Sequence, residues 1–339
     1  MGSEVKFAFK LNVHGQHLDT PFERLLDLAR HAEAVGFDGV YVIDHLVLPG
    51  PRLAGYTNAD PTRPYFQDCW TTLAAVAAVT RRVKIGPQVT PIGLRHPVFV
   101  AKWGATLDHI SAGRFLLQVG AGHQEIEYTS YGFPYPPFKV RFERLLEGVR
   151  LIRALWSEQG PVDFSGEHYQ SHQADFWPKP VQRPSPPIWF GGTSERIQGA
   201  VAQLGDGWTP AAPQAAGLDR AFYRNALERI KADAAAAGRA GTIVGGGMFY
   251  AAVAPSEGEA QEAASVLRRR ADWAALTLPE LADRGVAIVG TPDQATRTIE
   301  KYVDAGVEYF TLGFIPLDAL DATRRGMDLF AEKVMPRFS

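Results

Sequence analysis

The sequence predicts an α/β protein built as a closed (β/α)8 barrel, a TIM barrel with insertion loops after strands 2 and 4. Three observations carry that expectation. Eight short apolar runs alternate with segments of helical period along the 339 residues. Runs such as Val40-Tyr41-Val42-Ile43 are apolar throughout, which fits strands buried on both faces of a parallel sheet. The first turn, Asn12-Val13-His14-Gly15, lacks the glycine-rich fingerprint common after the first strand of an open, doubly wound sheet. A faint internal echo agrees, because Gly36 and Gly306 sit in the same helix–glycine–strand joint at opposite ends of the chain.

The first strand is Lys6-Phe7-Ala8-Phe9-Lys10-Leu11. Thr20-Pro21-Phe22-Glu23 reads as a capping box with proline at the first helical position, and Leu25, Leu26, Leu28, Ala29, Ala32 and Val35 follow at helical spacing. Strand 2 is Val40–Ile43. A helix around Trp70–Val79 precedes strand Val83-Lys84-Ile85, and Val98–Ile110 precedes strand Phe115–Val119. A long helix from about Phe138 to Trp156 follows. Strands are further expected at Ile188-Trp189-Phe190, Gly207-Trp208, Val244–Ala252 and Tyr309–Leu312, with a second capping box at Thr291-Pro292-Asp293-Gln294. Two Pro-rich segments interrupt the alternation, about 46–65 and 160–187. The second holds an expected hairpin around Ser165-Gly166, and both read as substrate walls or lids near the active face. The whole of 1–339 reads as one barrel domain, a length within the range of about 200 to over 400 residues usual for the fold.

A net charge of −2 provides no basic field for nucleic acid or anionic lipid. The single cysteine, Cys69, excludes an intrachain disulfide and reads as a buried structural thiol. No apolar run reaches the roughly 20 residues of a membrane span, and the N-terminus lacks a secretory pattern, so a cytoplasmic location is expected. The nine histidines show no paired ligand spacing, and no metal site is expected.

Polar groups collect where the strands end, which is where a parallel barrel keeps its chemistry. Asp44-His45 closes strand 2. The imidazole suits proton transfer near neutral pH, and Asp44 either orients it or caps the next segment. Gly86-Pro87-Gln88-Val89-Thr90 ends strand 3, its glycine leaving room for a flat ring beside the backbone. Gly120-Ala121-Gly122-His123-Gln124-Glu125 ends strand 4, exposing backbone amides beside two proton-transfer candidates, His123 and Glu125. Gly191-Gly192-Thr193-Ser194 opens a helix after strand 5. Its free amides suit a phosphate, Arg196 adds a charge, and the alternative is that Ser194 simply caps the helix. Asp108 and Arg114, on the opposite face, read as a structural ion pair.

The run from Arg95-His96-Pro97 through Thr106–Arg114 to Gly120-Ala121-Gly122, with Pro186-Pro187-Ile188-Trp189 and Leu204–Trp208, resembles the luciferase-like family of flavin- and deazaflavin-dependent oxidoreductases. That resemblance covers nearly the whole chain. It implies a tricyclic cofactor over strands 2 to 4, coenzyme F420 with FMN as the alternative, and a small organic substrate. The resemblance also places a catalytic or flavin-facing histidine at His45 and a non-proline cis peptide at Gln88–Val89. In deazaflavin-dependent dehydrogenases of the family a glutamate follows the second glycine; here that place is His123, and Glu125 is either its substitute or a surface residue. The same resemblance implies a homodimer and a separate flavin or F420 reductase.

Overall fold

The computed structural model describes residues 4–13, 21–47, 66–211, 218–269, 273–317 and 319–338. Its eight principal strands are those expected: β1 (Lys6–Leu11), β2 (Gly39–Val42), β3 (Lys84–Pro87), β4 (Leu117–Gly120), β5 (Ile188–Phe190), β6 (Gly207–Trp208), β7 (Val244–Val253) and β8 (Tyr309–Phe314). They pair in parallel in the order β3-β2-β1-β8-β7-β6-β5-β4. The ring closes where the Ile85 amide donates to the Arg114 carbonyl at 3.0 Å and the Leu116 amide to the Ile85 carbonyl at 2.9 Å. That closure leaves no side-chain room at Gly86, whose Cβ would stand 1.9 Å from the Leu116 carbonyl oxygen. Two further strands join the sheet. Thr90–Pro91 continues beyond β3 to pair with β4, and Ala287–Gly290, absent from the sequence reading, runs beside β7.

Side chains alternate inward and outward along each strand. Outward-facing Phe7, Phe9, Phe310 and Phe314 pack against the helices, and Phe37 and Phe330 stack among them at 6.2 Å. Inward-facing Ala8, Tyr41, Leu116, Trp189 and Tyr309 plug the N-terminal end, where the Tyr41 and Tyr309 hydroxyls meet at 3.1 Å.

The helices that position the site are α1 (Phe22–Ala34), α2 (Cys69–Val79), α3 (Pro97–Ile110), α4 (Glu125–Thr129), α5 (Phe138–Ser157) and α6 (Glu195–Leu204). Helix α1 begins one residue later than expected, with Pro21 as N-cap; Thr20 lies outside the described residues. The second capping box is present, with Thr291 and Gln294 bonded reciprocally. Gly36 and Gly306 take matching φ values of 102° and 99°, so the echoed joint is one structural device used twice. Cys69 is buried, donates to the Val42 carbonyl at 3.3 Å, and has its thiol pKa pushed up by burial.

Asp108 and Arg114 do not pair with each other. Asp108 accepts from the amide and side chain of Gln182, at 2.9 and 2.7 Å. The Arg114 guanidinium gathers the Ala77, Thr80 and Val83 carbonyls at the C-terminal end of α2, together with the Ser111 carbonyl. The turn between them sends each residue to a different neighbour.

The hairpin Val162–Ser165/Gln170–Ala174 forms where expected. It leaves from the foot of α5, at the barrel's N-terminal end, rather than from the active face. It climbs outside α5, where the Glu147 carboxylate accepts from the amides of Glu167, His168 and Tyr169, and Tyr169 meets His96 at 5.3 Å. Residues 48–65 of the other insertion lie outside the described residues. No described helix is long and apolar enough to cross a membrane.

Candidate active site

The C-terminal ends of β2, β3 and β4 share one rim. Three residues beyond β2, His45 turns toward the segment that leaves β4. Its Nδ1 lies 2.8 Å from Oε2 of the buried Glu127 in α4. The other carboxylate oxygen accepts from the Leu46 amide at 2.7 Å, so Glu127 fixes both the ring and the backbone that follows it. A carboxylate only accepts, so Nδ1 of the neutral imidazole carries the proton and Nε2 the lone pair. The His123 ring stands edge-on to His45 at 5.8 Å. The loop bearing His123 is pinned from α5: Arg141 donates to the Gly122 carbonyl at 3.3 Å and lies 4.0 Å from the Tyr135 ring centre. Tyr135 in turn donates to the His123 carbonyl at 3.3 Å.

Asp44 does not orient His45. Its buried carboxylate accepts from Trp70 Nε1 at 3.1 Å and Thr90 Oγ1 at 2.8 Å. It also takes two bonds from Arg95, at 3.1 and 2.6 Å. These contacts tie the end of β2 to α2 and to the turn beyond β3. Glu125 is exposed at the start of α4, and the carboxylate two residues further on is the one that reaches His45. Sequence reasoning missed Glu127 because its partner is 82 residues away. The available signal was an acidic residue between Ile126 and Tyr128, five residues after a glycine turn.

The Gln88–Val89 peptide is cis, where the resemblance places it. Val89 projects between Gly120 and Gly191, and a Cβ on either glycine would approach it to 2.9 or 3.0 Å. Gly86, expected to leave room for a flat ring, and Gly120 and Gly191, expected to present free amides, are thus required first by the barrel's own packing. Gly122, at φ 77°, similarly admits the Tyr128 hydroxyl. Ala121 between them is buried.

At β5 the chain enters α6 through Gly191–Ser194. Ser194 is the N-cap, accepting from the Ile197 amide at 3.4 Å. The Gly192 and Thr193 carbonyls accept from Trp208 and Gln198, both at 2.8 Å. The carbonyls are thereby held by the protein, while the first-turn amides of α6 have no helical acceptor and form the positive end of its dipole. Capping and anion binding are compatible here. Arg196 is exposed beside them.

Deeper in the barrel, one inward position above the plug, lie Lys10 on β1 and Gln118 on β4. The Lys10 ammonium and both ends of the Gln88 and Gln118 carboxamides are buried with no hydrogen-bond partner among the described residues. Among the described residues no cluster of His, Cys, Asp or Glu has the makings of a metal site.

The sequence model of the family described as luciferase-like monooxygenase matches residues 5–309. The chain belongs to this family. Among its luciferase-like relatives, an F420-dependent glucose-6-phosphate dehydrogenase of Nocardia farcinica is 29% identical over 334 residues, 92% of this chain and 93% of that protein. Among solved luciferase-like structures, the monooxygenase RslO1 from Streptomyces bottropensis superposes with a TM-score of 0.80 at 25% identity, over 98% of this chain and 100% of that one. An F420-dependent secondary alcohol dehydrogenase, solved with an F420-acetone adduct, gives 0.79 at 23% identity over 99% of each chain.

Proposed function

We propose that this luciferase-like barrel is an oxidoreductase that uses coenzyme F420 for hydride transfer to or from a small organic substrate. The observation that carries the reading is the His45–Glu127 pair, a proton-exchanging group fixed at the barrel mouth beside the cis bulge. The F420-named relative aligned over 93% of its own length supports the choice of coenzyme.

The residues present fit such a group. A deazaflavin ends in an edge of alternating carbonyls and N–H, and the Gln88 carboxamide, without a partner among the described residues, offers both a donor and an acceptor. The α6 amides and the Gly191–Ser194 turn would hold its phosphate. When bound, the coenzyme supplies a ring carbon that gives or accepts hydride. The matching proton, released when a substrate hydroxyl becomes a carbonyl, passes to Nε2 of His45, and in the reverse direction Nε2 returns it. Glu127 keeps the ring in the tautomer that can do this and stabilises the imidazolium formed. His123, edge-on to His45, is positioned to relay that proton toward solvent.

Titration of the purified protein with F420 and with FMN, read by fluorescence quenching, tests the coenzyme. F420 is expected to bind at least tenfold more tightly. Oxygen uptake dependent on reduced FMN would overturn this reading. It would favour a two-component monooxygenase served by a separate flavin reductase. His123, standing where deazaflavin dehydrogenases of the family carry a glutamate, and the likeness to RslO1 both favour that second reading.

The homodimer implied by the family has a candidate face. Helix α2 carries no charged residue and leaves Thr71 and Ala78 exposed. It lies beside α3, which presents Phe99, 58% exposed, and Ile110. A helix apolar on all sides is normally covered. Light scattering is expected to give about twice the chain mass, and Phe99→Glu to shift it toward one.

A further inference from the structure

Lys10 is an expensive residue to keep where it is. Its side chain is wholly buried and its ammonium has no hydrogen-bond partner among the described residues. It stands over the face of the Tyr250 ring on β7, 5.2 Å from the ring centre. Burial alone pushes its pKa down to about 7. The hydroxyls of Tyr41 and Tyr309 in the plug below are held in their protonated form by burial, so they offer no counter-charge. Natural proteins discard buried unpaired charges unless function retains them. This one is placed beneath the mouth, on the inward face of β1, two residues above the plug residue Ala8.

Hydride acceptance adds one negative charge to a neutral acceptor, and a cation fixed in a low-dielectric interior stabilises that charge without reorganising. We propose that Lys10 is a positioning residue whose buried charge, acting through space from beneath the mouth, makes the barrel hold the reduced form of its ring coenzyme in preference to the oxidised form. No bond forms or breaks at Lys10, which is fully buried and acts by its field alone. The inference rests on the F420 reading above.

The test compares wild type with Lys10→Met, which keeps the length of the side chain and removes its charge. Dissociation constants are measured at pH 6, where Lys10 carries its charge, for oxidised F420 by fluorescence quenching and for reduced F420 by competition. The variant is expected to lose about tenfold in its preference for the reduced form, equal to a midpoint shift of about 30 mV for a two-electron couple. The melting temperature of the coenzyme-free variant at pH 6 is expected to rise, because an uncompensated charge has gone. A merely structural lysine would give the opposite sign. Lys10→Gln gives the same readouts should the methionine variant not fold. An unchanged ratio of the two constants, or a fall in melting temperature, overturns the assignment of Lys10 while leaving the coenzyme reading intact. Failure of the wild type to bind F420 in either form overturns both.

Discussion

Replacing His45 with alanine is expected to lower the F420-linked turnover number by about 10²- to 10⁴-fold, the usual contribution of a placed general acid–base group. Coenzyme affinity should change little, because Nε2 rather than the coenzyme-binding edge is lost. Glu127→Gln is the informative companion. The amide still fills the space and still accepts from the Leu46 amide, but its NH2 end can leave Nδ1 facing a donor, which favours the wrong tautomer. Its expected effect is a smaller drop, on the order of 10- to 100-fold. The two effects should not add, because both act on one proton. Steady-state rates for the single and double variants decide the matter. Turnover unchanged in His45→Ala removes the pair from the chemistry altogether.

Asp44→Ala should act on stability instead. Four hydrogen bonds converge on this carboxylate, two of them from Arg95, whose side chain is only 14% exposed. Removing the anion leaves the largely buried guanidinium only the half-exposed Asp68 carboxylate, 3.2 Å away, and strands the Trp70 indole and the Thr90 hydroxyl. Breaking one partner of such a pair costs about 3–5 kcal/mol. For a chain of this size that lowers the melting temperature by on the order of 10 °C. Adding Arg95→Met should restore part of the loss, since the guanidinium that had lost its buried partner goes with it. Thermal denaturation of the three variants is the measurement. A melting point for Asp44→Ala within 2 °C of wild type, roughly the effect of 1 kcal/mol or less, would contradict this account.

These two neighbours show where sequence reading succeeds and where it stops. Asp44-His45 was legible as a rim position because it ends a strand that is apolar throughout, and a parallel barrel places such ends at its C-terminal mouth. The division of labour within the dipeptide was not legible. It depends on Glu127, Arg95 and Trp70, which approach from 82, 51 and 26 residues away. The eight ring strands were readable because burial on both faces writes itself as unbroken hydrophobic runs. Ala287–Gly290 was not, being four residues that a helix pattern on either side overshadows. Glycines mislead in a different way. At Gly86 and Gly120 the pattern signals that something comes close to the backbone, but not whether it is a ligand or, as here, the Leu116 carbonyl and the Val89 side chain. The pairing inferred for Asp108 and Arg114 failed for the same reason, since proximity along the chain says nothing about which way a turn aims two side chains.

Arg114 secures the far end of the barrel. One guanidinium binds the final carbonyls of α2, the entry to β3 and the turn from which it springs, all on the side of the barrel remote from His45. The foundation is therefore knitted together by contacts that owe nothing to the upper loops. New specificities can be acquired by rewriting those loops alone, and loop exchange between members of this family should yield chimaeras that still fold.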